Sequence, residues 1–149
     1  MAEKSPQELV LDKNTVDLSF AYEEELLFDE EKGPRKLFYL NKDFIGAKDC
    51  PENKLRLKEI LKAIIDIEVS QKSDNVFLLC SEAVKTLTAD SEFAQVWEKA
   101  IEAGLTIFVS ETSVEDFIEA DDLVSDKLIL INNREVAETL LSYHVLTLT

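Results

Sequence analysis

Few side chains in this sequence can do chemistry: two cysteines, Cys50 and Cys80, one histidine, His144, and a hydroxyl-bearing stretch, Ser110-Glu111-Thr112-Ser113. Cys50 stands just before Pro51, a residue favoured in the first turn of a helix, where unpaired N–H groups and the macrodipole favour a thiolate. Cys80 closes the apolar run Val76 to Leu79 and is followed by Ser81. Each thiol has a plainer alternative: Cys80 packed as a small hydrophobe, Cys50 occupying a loop. Ser110 or Thr112 can cap the helix that follows, with Glu115 three residues beyond Thr112 completing a capping box. The same hydroxyls, helped by Asn132, are also placed to bind a small anion or polar metabolite, although Glu111, Glu115 and Asp116 would oppose an anion.

Other chemistries are disfavoured by residue type. A Ser/His/Asp triad would need His144, which begins the last apolar run and is expected at the opposite sheet edge from the serines, where it reads as structural or solvent-facing. Asp121-Asp122 and Glu115-Asp116 fall in expected helix ends and loops, so acid–base work is not assigned to them. One histidine and two cysteines without CxxC spacing do not make a zinc ligand set, and no metal is expected. With three glycines, neither GxGxxG nor GxxxxGK[ST] can be written on the chain, and no cofactor is expected.

At 149 residues with a formal net charge of −15, the chain suits one domain with a tail. Its charge disfavours nucleic acid and anionic membrane surfaces as partners. The polar opening MAEKSPQELVLDK lacks a positive flank and apolar core, and no apolar run reaches the length of a membrane span. The two scattered cysteines suit reduced thiols. A cytoplasmic protein is the expectation.

These residues must be positioned by the elements around them. Val76 to Leu79 (VFLL) and Leu105 to Val109 (LTIFV) are short apolar runs that end at polar clusters, as strands buried on both faces do, and the helical stretch between them permits a parallel crossover. Lys36 to Asn41 reads as a first strand. A helix over 53–69 follows, with Leu57, Ile60, Leu61, Ile64 and Ile65 on one face. A second helix over 91–103 carries Phe93, Val96, Trp97 and Ile101 on one side and ends at Gly104. A short helix over 112–119 with Val114, Phe117 and Ile118 inward, a strand over 127–131, a helix over 134–141 and a strand over 145–148 complete the chain. Strands alternating with helices predict an α/β flavodoxin-like three-layer sandwich on a five-stranded, mainly parallel sheet. Its carboxyl edge, where ligands sit in open parallel sheets, would carry Cys80, Ser81, Ser110, Glu111, Thr112, Ser113 and Asn132.

The first 35 residues differ from the rest. Val16, Leu18, Phe20 and Tyr22 alternate with Asp17, Ser19 and Ala21 as in a half-buried strand, and Leu9-Val10-Leu11 could pair with it as a hairpin. The run 23–31 is densely acidic around Leu26, Leu27 and Phe28. Residues 1–35 therefore read as an acidic extension, a ribbon or a tail that orders on a partner, ahead of an α/β domain over 36–149.

From Lys36 onward the chain resembles the DsrE-like superfamily of sulfur-relay proteins, most closely the C-terminal domain of YedF-type proteins linked to sulfur or selenium metabolism. The resemblance is carried by Phe44-Ile45-Gly46, Leu57-Lys58-Glu59-Ile60-Leu61 and Val84-Lys85-Thr86-Leu87-Thr88. It continues in Glu102-Ala103-Gly104-Leu105-Thr106-Ile107 and in Asn132 followed by Val136-Ala137-Glu138-Thr139-Leu140-Leu141. It implies a homo-oligomer. It also implies a Cys-Gly-Thr-Cys type loop after the third strand, with a persulfide-forming cysteine at the first position in the sulfur-carrying relatives. Here that loop is Ser110-Glu111-Thr112-Ser113, and a serine hydroxyl forms neither persulfide nor disulfide. The expectation is therefore a non-catalytic accessory or binding protein. The alternative is a thiol-dependent sulfur-transfer or redox protein using Cys50 or Cys80.

Overall fold

Strand β1 (Lys36–Leu40) alternates its side chains between two apolar layers: Phe38 and Leu40 enter one, Leu37 and Tyr39 the other. Strand β2 (Val76–Leu79) does the same with all four residues buried, which only a strand covered on both faces allows. β3 (Thr106–Ser110), β4 (Ile129–Ile131) and β5 (His144–Thr147) complete the sheet. The computed structural model describes residues 28–29 and 33–149, with Lys36–Thr149 forming one compact unit. The expected hairpin and the anchors Leu26 and Leu27 lie outside the described residues. Phe28–Asp29 pairs antiparallel with Gly33–Pro34.

The sheet order is β4-β3-β2-β1-β5, and every pairing is parallel. Three crossovers advance in one direction from β1 to β4, and the fourth returns to the far side of β1. Because such crossovers are right-handed, the returning helix must lie on the other face. The packing agrees. Helices α1 (Pro51–Gln71), α2 (Ala94–Glu102) and α3 (Glu111–Phe117) supply Leu57, Leu61, Ile65, Trp97 and Val114 to the first layer. Helix α4 (Asn133–Ser142) supplies Val136 and Leu140 to the second.

Boundaries differ from the sequence expectation where local chemistry extends or trims an element. α1 starts at Pro51 rather than Asn53, because proline's missing N–H costs nothing at the first position. It runs to Gln71 and ends on Lys72 in the left-handed conformation, whose N–H bonds the carbonyls of Glu68 and Val69. Its buried face is Asn53, Leu57, Leu61, Ile65 and Glu68. Ile60, expected in the core, is exposed instead, one step off that stripe. Phe117, expected inward, is also exposed, with the Lys85 ammonium 5.5 Å from its ring centroid. α2 begins at Ala94 because Ser91 holds a turn before it, its Oγ accepting the Phe93 N–H at 3.0 Å.

Between β2 and α2 the chain forms a 3-10 helix, Ser81–Leu87, that sequence periodicity did not reveal. It buries Ala83, Val84, Thr86 and Leu87. Thr86 accepts the indole N–H of fully buried Trp97 at 2.9 Å, and Trp97 meets Phe77 edge to face at 5.5 Å. No helix among the described residues is long and apolar enough to cross a membrane.

Candidate functional site

Parallel register brings the strand ends to one rim. Leu40 is aligned with Leu79, Leu79 with Val109, and Ser110 with Ile131. Cys80, Ser110 and Asn132 therefore leave the sheet at the same edge. Lys36 pairs with His144 at the opposite edge, where His144 is exposed and distant from the serines. In an open parallel sheet a crevice forms where successive helices depart to opposite faces. Here that place lies between β3 and β4, since α3 covers one face and α4 the other.

The two helix starts at that crevice are capped from within. Ser110 is the N-cap of α3: its Oγ accepts the Ser113 N–H at 3.2 Å. Thr112 and Glu115 do not form the expected capping box, because the helix begins two residues earlier than such a box requires and Thr112 is already inside it. The capping box belongs to α4 instead. Asn132 Oδ1 accepts the Glu135 N–H, and Glu135 Oε1 accepts the Asn132 N–H, both at 2.9 Å. Asn132 thus shares the rim with the serines, with its side-chain oxygen engaged in its own cap.

The serines do meet. Buried Ser113 accepts the Ser81 N–H on its Oγ at 2.7 Å and donates to Ser110 Oγ at 3.0 Å. Ser81 itself adopts φ 54°, a left-handed backbone rare for a residue with a side chain. That turn points its N–H toward Ser113. Among the described residues, neither hydroxyl is hydrogen-bonded to a histidine or carboxylate that could act as a general base. Glu111 and Thr112 are exposed and take no part in the serine contacts.

The remaining strand end is closed in the same way. Thr149 Oγ1 accepts the backbone N–H groups of Asn41 and Lys42 at 2.9 and 3.0 Å. The loop after β1 is pinned by buried Asn53, whose Nδ2 donates to Ala47 O at 2.9 Å. Gly46 turns there at φ 86°, and a Cβ on it would come within 3.2 Å of Asn53 Nδ2. Asn53 was not legible as a site residue, because a polar group one helical turn before Leu57 reads as surface.

The two thiols lie apart and differ in surroundings. Cys80 is buried on the α4 side of the sheet, and its backbone N–H bonds Leu40 O at 2.9 Å. Burial pushes its thiol pKa up, with a hydrogen bond from Tyr39 acting the other way. Tyr39 is raised in turn, by burial first and by Cys80 second. Cys50 is partly exposed at the N-cap of α1 and donates its Sγ proton to Glu52 Oε1 at 2.8 Å. That hydrogen bond holds the Glu52 carboxyl below the usual carboxylate range. A separate groove runs between α1 and α2, lined by Lys62, Ile65, Asp66, Gln95, Val96 and Lys99, and includes no residue of the strand ends.

By sequence, the chain matches no protein-family model and no curated protein. By structure, it is similar to the YchN protein of E. coli, with a TM-score of 0.56 and 20% identity over 76% of this chain and 98% of that one. The fold is YchN-like. The conserved protein of unknown function BT1422 from Bacteroides thetaiotaomicron aligns over 76% of this chain and 94% of its own, with a TM-score of 0.59 and 17% identity. MTH1491 from Methanobacterium thermoautotrophicum, also of unknown function, covers 76% and 98% with a TM-score of 0.54 and 13% identity. At these identities the likeness carries the fold and leaves the chemistry to the residues of this chain.

Proposed function

We propose that this chain is a non-catalytic accessory or binding protein of DsrE-like type, nearest in pattern to the YedF-type domains, acting in the cytoplasm in connection with sulfur metabolism and assembled as a homo-oligomer. The observation that carries the non-catalytic reading is the closure of the rim by the chain's own side chains. Ser113 joins the ends of β2 and β3, Ser110 and Asn132 cap their own helices, and Thr149 binds the backbone after β1. Groups occupied in this way hold the fold. The persulfide position of the resemblance is Ser110, which cannot carry sulfur; Cys80 is buried with its thiol pKa pushed up, and the Cys50 thiol donates to Glu52.

The test is a sulfur-loading assay on the full chain. The protein is incubated with a persulfidated donor protein, whose sulfane sulfur can pass to a thiol with release of the donor's own thiol, then read by intact-mass spectrometry beside alkylation rates of both thiols at neutral pH. The expected result is no gain of a sulfur atom and no thiol faster than free cysteine. A one-sulfur adduct on Cys50 or Cys80 that passes to an acceptor thiol would overturn the reading and establish the thiol-dependent one.

A further inference from the structure

The two faces of the sheet are covered unequally. Five strands at about 4.8 Å spacing make a sheet about 24 Å wide, while one helix covers about 10 Å of it. The first face carries three helices and the 3-10 turn, and its core includes fully buried Leu57, Leu61 and Trp97. Among the described residues, the second face carries α4 alone, and α4 has no buried residue. Its inward Val136 and Leu140 remain partly exposed, as do Tyr39, Phe108 and Val145 of the sheet beneath. Ile129 on the neighbouring edge strand is 43% exposed, and Leu141 on α4 is 88% exposed, the most exposed large hydrophobic residue among those described.

Charge sets this face apart as well. From Lys127 to the last residue, Lys127 and Arg134 are matched by Glu135 and Glu138, so the stretch that builds β4, α4 and β5 is neutral. The whole net charge of −15 is carried by the residues before it. Arg134 and Glu138 also pair with each other on α4, Nε to Oε2 at 3.2 Å. A basic partner would be drawn to the acidic surfaces and gain nothing here. A second copy of the same acidic chain is repelled everywhere its net charge is presented, and this neutral apolar face is the surface on which two copies can approach without that cost.

Resting on the reading of the chain as a homo-oligomer, we infer that two copies meet through the α4 face. A two-fold pairing uses the same patch on both copies. Leu141 and Ala137 lie one turn apart on the outward side of α4. Ala137 is small enough to let the helices approach closely, and Leu141 supplies the apolar anchor. Pairing of two such faces buries apolar surface that α4 leaves exposed on each copy.

The experiment is sedimentation velocity with light scattering on the full chain and three variants. Wild type is expected at twice the protomer mass or a higher even multiple. Leu141→Asp and Ala137→Arg are each expected to weaken self-association at least about tenfold, since each would bury an unpaired charge at the contact. Both sites are exposed in the protomer, so far-UV circular dichroism and the melting temperature at a concentration where wild type is dissociated should stay unchanged. Ile67→Asp, on the exposed side of α1 on the other face, should leave assembly as it is. If wild type is monomeric, the homo-oligomer reading fails and this inference with it. If wild type assembles and both α4 variants still assemble, or if Ile67→Asp disrupts it equally, the assignment of the surface fails while the oligomer stands.

Discussion

Ser113 Oγ accepts the backbone N–H of Ser81 at 2.7 Å, a contact that spans 32 positions of sequence and ties the turn after β2 to the first turn of α3. The Ser81 backbone is left-handed at φ 54°, a conformation that costs about 1–2 kcal/mol for a residue with a Cβ. The hydrogen bond offsets part of that strain. Ser113→Ala should therefore destabilise the fold by about 1–2 kcal/mol by leaving the N–H without its acceptor. Ser81→Gly should be neutral or stabilising by up to about 1 kcal/mol, since glycine takes a positive φ without the steric penalty. Urea midpoints of both variants test the pair; the same sign for both changes would refute the account.

The amino edge of the sheet is held by a different network. Glu68, buried at the end of α1, accepts hydrogen bonds on Oε1 from the Ser73 hydroxyl and from Asn75 Nδ2, the latter at 3.0 Å. Asn75 Oδ1 accepts the Lys36 N–H at 2.8 Å. One amide thereby links α1, the approach to β2 and the start of β1. Asn75→Ala should cost about 2–3 kcal/mol, because it removes a donor from a buried carboxylate and an acceptor from a strand N–H together. Glu68→Gln keeps an acceptor oxygen and should cost clearly less. Chemical denaturation of the two variants checks the order, and an Asn75→Ala protein as stable as wild type would remove the network from the account of the fold.

Cys50 and Glu52 give an acid-side signature. The Cys50 hydrogen bond holds the Glu52 carboxyl below its usual range. A depressed folded-state pKa contributes stability that is present above the unfolded carboxylate pKa and lost as pH falls through the folded one. Cys50→Ala should raise the Glu52 midpoint toward the ordinary value in a carboxyl NMR titration. An unchanged midpoint would show that the thiol does not hold it down.

Cys80 gives the opposite, alkaline signature. Its pKa is raised by burial, and that of Tyr39 beside it is raised too. An acid that is neutral in the fold and raised above its unfolded pKa contributes stability fully present below that unfolded pKa and lost as pH rises through the folded one. The protein should lose stability from the ordinary thiol range, about pH 8.5, upward. Cys80→Ala should flatten that fall, leaving the Tyr39 contribution from burial. Urea midpoints from neutral to alkaline pH measure it, and identical slopes in both proteins would count against a buried neutral thiol.

Much of this molecule follows from local pattern. The runs of Val76 to Leu79 and Thr106 to Val109 are too apolar for one-sided burial, so both had to be interior strands. The spacing of Leu57, Leu61 and Ile65 makes a helix with one inward stripe. Ser110 as a helix cap was legible from residue type and place, since a hydroxyl before a short amphipathic stretch satisfies an orphan N–H whatever surrounds it.

Other features depended on partners distant in sequence. Ile60 and Phe117 fit the helical period but fell outside the buried stripe, because burial is decided by what packs opposite. Thr112 looked as good a cap as Ser110 until the third strand's last residue was placed. The 3-10 helix after β2 was hidden because a seven-residue segment shows too little period to read. That Ser113 would serve Ser81, and that Cys80 would lie beside Tyr39, could not be seen in neighbours along the chain.

The sequence by itself determined the strands and main helices, their order, the acidic charge and the serines after the third strand, because periodicity and residue chemistry are local properties. Tertiary structure decided which hydroxyls bond each other, which thiol is buried and which sheet face is left thinly covered. Those outcomes depend on parallel register and on the return of the last crossover behind the sheet, which are relations between segments far apart in sequence.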